Sequence, residues 1–368
     1  MNDPRIDAWA RTLVTYSTRV QPGDVVSIEG DVSARPLLVA LYREALRAGG
    51  LPVVIPRLGE VNADLLRDGS DEQLAWISPI DRWSRGEADV FIRVLGEENT
   101  KSLSGIDPER QIARKRGQGE LLRTMMARAA TGDCRWTLTL YPTNAYAQDA
   151  ELASPDFAEF VFAACKLGTD DPAAAWRAQG AIQQRLVDWL TGKREVHIRG
   201  VDTDLRLSVT DRHWINCDGT HNFPDGEIFT GPVEDATEGH IRFSFPVVVD
   251  GREIHDVRLR FVAGRVADAS ASQGEAYLLE TLDADPGARV LGELAFGTNF
   301  DITRFTKNIL FDEKIGGTVH MALGAGYPET GSSNDSAIHW DLICDLRDGG
   351  SVDVDGEPFL RDGRYLVD

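Results

Sequence analysis

Four segments of the 368-residue chain put an acid or an imidazole where an apolar residue is expected. NFPDGEIFTGP (222–232) carries Glu227 between Gly226 and the apolar pair Ile228 and Phe229, and VLGELAFGTN (290–299) puts Glu293 at the head of an apolar strand. GTVHMALGAGYP (317–328) embeds His320 among Val319, Met321 and Leu323, and SAIHWDLICD (336–345) sets His339 and Asp341 two apart. Side chains at i and i+2 of a strand point the same way, so Ile338, Trp340 and Leu342 line one face while His339 and Asp341 share the other. Burying an unpaired carboxylate is costly enough that it finds partners or a metal. Three carboxylates and two imidazoles make a mixed N/O donor set suited to zinc, cobalt or manganese, with magnesium a further candidate. Five donors, two of them able to bridge, build a pair of ions more easily than one. Two ions about 3.5 to 4 Å apart hold a hydroxide between them and polarise a carbonyl, the usual route to amide hydrolysis. The plain alternative is that exposed acids are the norm and that a histidine in an apolar run is a satisfied core residue.

The elements that must position these groups fall into two textures. The first half alternates strand and helix signals: strands at 24–30, 51–55, 88–96 and 135–142, and helices at 35–48, 108–130, 155–166 and 171–191, the last opened by Asp171-Pro172. This pattern predicts an N-terminal α/β domain with a mostly parallel sheet over residues 1–192. No phosphate-binding fingerprint follows any of its strands; GQGELL (117–122) lies within a helical pattern. From about Lys193 short alternating strands dominate, with hairpin turns expected at Asp250-Gly251 and Ala263-Gly264 and one helix at 274–284. Residues 193–368 are therefore expected to form a strand-rich α+β domain that holds the metal-binding groups.

Composition narrows the partners. A formal charge of -20 speaks against a nucleic-acid groove or an anionic membrane surface, both of which need a concentrated positive face. The start, MNDPRIDAWARTLV, carries charges throughout and lacks an apolar signal-peptide core, and no stretch approaches the roughly 18 to 20 apolar residues that span a bilayer. A cytoplasmic protein is expected. Cys134, Cys165, Cys217 and Cys344 are scattered, with no C-x-x-C pair, and read as reduced thiols.

At its four donor segments the sequence resembles the M29 family of metallo-aminopeptidases, the thermophilic aminopeptidase group. GEIFTGP, GEAYLLETLDADPGARVLGELAFGTN, LFDEKIGGTVHMALGAGYP and IHWDLICDL fall in the family's order and cover most of residues 191–368, while the first half matches only in its αβ texture. The resemblance implies a co-catalytic dinuclear centre, commonly zinc or cobalt, held by Glu227, Glu293, His320, His339 and Asp341. It also implies an active-site tyrosine seven residues beyond the first histidine, here Tyr327, whose phenol would donate to the oxyanion of the tetrahedral intermediate. The implied reaction is release of the N-terminal residue of a short peptide: a metal-held hydroxide attacks the scissile carbonyl, and Glu227 or Glu293 relays the proton to the leaving amine. Relatives of this type are homodimers whose first domain helps enclose the site. The interval between His320 and His339 is shorter than in better-known members, so side-chain preference does not carry over. The rival reading is a mononuclear non-haem iron, ring-cleaving dioxygenase of the same fold using His320, His339 and Asp341. Retention of Glu227 and Glu293 favours the hydrolase, and the presence of all five donors with Tyr327 disfavours a non-catalytic binding protein.

Overall fold

The computed structural model describes residues 3–249 and 252–367. It divides into two compact units, one running to Ala175 and including Gly219–Pro224, the other comprising Trp176–Asp218 and the chain from Asp225 onward.

The first unit is built on a parallel sheet whose strands lie in the order Leu51–Arg57, Val25–Asp31, Val90–Leu95, Arg135–Leu140 and Asn222–Phe223. Its central strands are near-continuous apolar runs because helices cover both faces of a parallel sheet; Val26, Ile28, Val90, Ile92 and Val94 are fully buried. Helix Arg35–Arg47 buries Leu37, Leu38, Leu41 and Ala45. Helix Pro108–Ala130 starts where proline is tolerated, with the Asp107 side chain accepting from the Glu109 N–H, and it contains GQGELL. Three short helices, Gly59–Asp68, Asp71–Ala75 and Pro79–Gly86, were not expected. Gly69-Ser70 and Ser78-Pro79 cut the apolar pattern into pieces too short to read as helix, and Ser70 and Ser78 cap the pieces that follow. The two-residue strand Asn222–Phe223 joins this sheet from far along the chain.

The second unit contains an eight-stranded antiparallel sheet and a five-stranded one. In the larger sheet Thr203–Ser208 and Val257–Val262 alternate strictly, with Leu205, Leu207, Leu259 and Phe261 inward and Asp204, Arg206, Arg258 and Arg260 toward water. Ala263 and Gly264, with φ of 46° and 77°, make the hairpin turn expected there. Asp250-Gly251 lies outside the described residues. The inward residues share one core with Phe296, Met321, Leu323, Trp340 and Leu342 of the smaller sheet, and with Leu278 and Leu282 of helix Glu275–Leu282. A one-turn helix, Ile309–Asp312, adds to the single one expected within residues 193–368, and helix Pro172–Leu190, expected in the first domain, belongs to this unit from Trp176 onward. The smaller sheet runs His339–Asp345, Thr318–Gly324, Leu291–Gly297, Glu227–Thr230, Ile215–Cys217, antiparallel throughout. Its strand begins at His339, so Ile338 precedes it; Trp340 and Leu342 do face the core. All four cysteines are free thiols. Among the described residues no helix is long and apolar enough to cross a membrane.

Candidate metal centre

Strands Leu291–Gly297 and Thr318–Gly324 are buried along their whole length. One face meets the apolar core. On the other, directly opposed residues form rows, because cross-strand neighbours share a face. Ala322 is opposed by Glu293 on one side and Asp341 on the other, Gly324 by His339, and His320 by Ala295 and Ile343. Glu227 is opposed by Gly297 and Cys217. The donors therefore ring a floor of Ala295, Gly297, Ala322 and Gly324, none larger than a methyl group. A bulge lies between Leu291 and Glu293. Strict alternation would put both residues on one face; the extra residue keeps Leu291 in the core and turns Glu293 to the polar side.

All five sequence-predicted donors converge here. Asp341 Oδ1 lies 3.5 Å from His339 Nε2, which is 3.3 Å from Glu293 Oε2. The other oxygen of Glu293 is 3.4 Å from His320 Nε2, itself 3.3 Å from Glu227 Oε2. Two ligands held about 2.0–2.1 Å from one cation at a tetrahedral angle stand about 3.3 Å apart, so these spacings suit donors that share an ion. Glu227 Oε2 and His320 Nδ1 are buried without a hydrogen-bond partner, although such atoms are nearly always satisfied. His339 Nδ1 lies 2.8 Å from the Ala325 carbonyl; donating there leaves Nε2 as the nitrogen that faces the acids and that would hold a metal on losing its own proton. Ligand atoms of Glu293, His339 and Asp341 lie within 4.8 Å of one another, as do those of Glu313, His320 and Asp341. The donor set thus fits divalent cations, with Asp341 common to both groups.

The electrostatics call for positive charge. Burial pushes Glu227 up to about 8, against Lys314 and His320. Burial also acts to raise Glu293, but hydrogen bonds from His320 and His339 outweigh it and hold this carboxyl at about 2. Burial opposes the charged imidazoles, yet Glu293 and Glu227 raise His320 to about 9, and Asp341 and Glu293 raise His339 to about 11. Protons sit where cations are wanted, and a divalent ion at Nε2 would take their place.

Tyr327 follows the strand Thr318–Gly324, its ring edge-on to His339 at 5.2 Å between centroids and tilted against Phe229 at 5.2 Å. Burial drives its phenol well above the ordinary value, so it keeps its proton. Two neighbours were not singled out from the sequence. Lys314 is fully buried, paired with Glu313 and 3.5 Å from Glu227 Oε1. Glu313 reaches toward His320 and Asp341. The signal was present in LFDEKIGG, where three consecutive charged residues interrupt an apolar run.

A family model described as thermophilic metalloprotease (M29) matches residues 2–365. The chain belongs to the M29 family. Its match extends through the first unit, where the sequence suggested only a likeness of texture. The chain is 28% identical over 421 aligned residues to Aminopeptidase 2 of Geobacillus stearothermophilus, covering 100% of this chain and 98% of that one. It is 25% identical over 405 to Aminopeptidase T of Thermus thermophilus, with 98% of each covered. Among solved structures, wild-type AmpT from Thermus thermophilus superposes with a TM-score of 0.87 at 25% identity, over 99% of both chains. A 2,5-dihydroxypyridine dioxygenase from Pseudomonas putida KT2440 shares the fold, with a TM-score of 0.61 at 14% identity over 100% of this chain and 99% of that one.

Proposed function

We propose that this M29 metallo-aminopeptidase releases the N-terminal residue of short peptides at a centre of two divalent ions held by Glu227, Glu293, His320, His339 and Asp341. The observation that carries this reading is Glu293, whose two oxygens face different imidazoles at 3.4 and 3.3 Å, so that one carboxylate would help to hold an ion at each ring. A lone ion on His320, His339 and Asp341, as a ring-cleaving dioxygenase would use, leaves no role for a fully enclosed acid between the two rings. Zinc or cobalt suits the mixed N/O set best, with manganese or magnesium as substitutes.

When bound, such ions supply hydroxide at neutral pH and polarise the scissile carbonyl. The chain's own groups do the rest. Ala325 orients His339 through Nδ1. Glu227 or Glu293 accepts the proton released on attack and passes it to the leaving amine. The Tyr327 phenol, kept protonated by burial, donates to the developing oxyanion. The small floor leaves the donor ends unobstructed. The working enzyme is taken to be a cytoplasmic homodimer, with the chemistry in residues 193–368 and residues 1–192 as the scaffold.

Metal analysis of the purified protein alongside hydrolysis of a dipeptide panel tests this. About two equivalents per chain, with chelator-sensitive release of N-terminal residues restored by zinc or cobalt, is the expected result. One equivalent of iron with oxygen uptake and no peptide hydrolysis would overturn it, and a sedimentation mass of one chain would overturn the dimer.

A further inference from the structure

The connection from Gly324 to His339 carries Tyr327 and delivers His339, and it is pinned from outside the donor set. Asp285 lies in the turn that precedes strand Leu291–Gly297. Its Oδ1 accepts from the N–H groups of Gly287 and Ala288 at 2.8 and 3.0 Å, within its own turn. Its Oδ2 accepts from the Ala337 N–H at 2.7 Å and the Ser336 hydroxyl at 2.9 Å, at the entry to the His339 strand. One carboxylate therefore ties the approach to Glu293 to the approach to His339. Asn334 makes a second tie: its Nδ2 donates to the carbonyls of Gly287 at 3.1 Å, Val290 at 3.3 Å and Gly324.

The ties converge on Ala325. The Ala325 N–H donates to the Ile338 carbonyl at 2.7 Å, immediately beyond the residues held by Asp285. The Ala325 carbonyl in turn accepts a hydrogen bond from His339 Nδ1–H at 2.8 Å. This carbonyl also packs against Gly292, where a Cβ would fall on the oxygens of Gly324 and Ala325. The connection is thus closed on itself and lies directly on the bulge that aims Glu293.

We propose that Asp285 is a positioning residue for the His339 half of the metal centre, acting through Ala337, Ile338 and Ala325 on the direction of His339 Nε2. This rests on the two-ion reading given above. A charged acceptor serving four donors holds its partners more tightly than neutral acceptors do. Outer partners that orient a metal-binding imidazole are typically worth about 10- to 100-fold in metal affinity.

The test titrates full-length, metal-free protein with zinc and with cobalt by calorimetry and then measures dipeptide hydrolysis. Asp285→Ala is expected to weaken one of the two equivalents by about 10-fold or more while the other keeps wild-type affinity. At saturating metal kcat is expected to fall about 10-fold or more, with KM within about 2-fold, because misdirection of an assembled centre is felt in the reaction and not in peptide binding. Asp335→Ala, on an exposed residue of the same connection, should change neither quantity. If Asp285→Ala does not fold, Asn334→Ala, which cuts the second tie, carries the same expectation. Wild-type affinity for both equivalents in whichever of these variants folds would overturn the proposal. So would equal weakening of both equivalents with a lowered melting temperature, the pattern of a merely structural residue. A wild-type chain that takes up no metal would overturn the two-ion reading itself, before any variant is compared.

Discussion

Glu293 is the side chain on which two imidazoles depend at once, and its replacement separates ligation from bulk. Glu293→Gln keeps the shape, but its amide nitrogen faces a ring nitrogen where an oxygen did before. Retained metal measured after gel filtration should fall, with affinity lowered by more than about 100-fold, beyond the loss typical of an outer partner. Tyr327→Phe is expected to behave differently. It removes one oxyanion donor, so kcat should drop about 10²- to 10³-fold with metal content unchanged; retention of wild-type kcat would remove the phenol from the reaction. The metal-free protein should also reveal its crowded acids and imidazoles through pH. His320, raised to about 9, and His339, raised to about 11, contribute stability that is full below the ordinary imidazole value of 6.5 and lost as pH rises through the folded values. Glu227, raised to about 8 from 4.5, has the same sign. Glu293, held at about 2, contributes above 4.5 and loses that only in strong acid. The melting temperature of chelated protein should accordingly decline from about pH 6.5 to 9, and a flat or rising profile would contradict the charges assigned here. At this scale much was readable. The two-residue spacing of His339 and Asp341 announced a shared face, since strand periodicity is a local property. Lys314 and Glu313 showed only as charges interrupting an apolar run; what they pair with was not readable, because Glu227, His320 and Asp341 lie on strands elsewhere in the chain.

At the scale of the element, what distinguishes this sheet is the smallness of its middle. Ala322 is opposed by Glu293 and Asp341 and is fully buried. Ala322→Val should fold, at a cost of about 1–3 kcal/mol for overpacking, yet bind metal at least about 10-fold more weakly, in line with disturbance of a ligand's support. Calorimetric titration checks this, and unchanged affinity would show that the floor does not set the space between the acids. The strands themselves were legible wherever apolar runs were bounded by turn residues, as at 135–142 and 203–210. The three helices between Arg57 and Val90 were not, since each is too short to display a period, and the strand Asn222–Phe223 has only two residues to show. The bulge could not be read either. Sequence shows that an acid follows Leu291 by two positions, but only the partner strand shows that the ladder slips between them.

The whole molecule answers to metal as a ligand of its folded state. Donors spread from Glu227 to Asp341 come together only on folding, so binding free energy adds to stability. At about a thousandfold excess over the dissociation constant that contribution is about 4 kcal/mol. With about 2 °C per kcal/mol for a chain of this size, chelation should lower the melting temperature by roughly 8 °C, and zinc or cobalt should restore it. A melting temperature indifferent to chelator would mean that metal is not part of the native fold. The division into an α/β region and a strand-rich region was legible from period alone; the convergence of five distant donors was not, because no local pattern records which strands become neighbours.

The slip beside Gly292 leaves this strand without any freedom of phase. Pairing this stretch without the slip would set Leu291 and Glu293 on one side and so exchange oil for acid: either the carboxylate would be driven into the apolar interior or a leucine would be delivered to the imidazoles. Length variation in this protein should therefore be tolerated in its surface turns, and even loss of Gly292 would leave Leu291 and Glu293 on opposite sides, whereas one residue too few between Glu293 and Gly297 would turn the enzyme inside out.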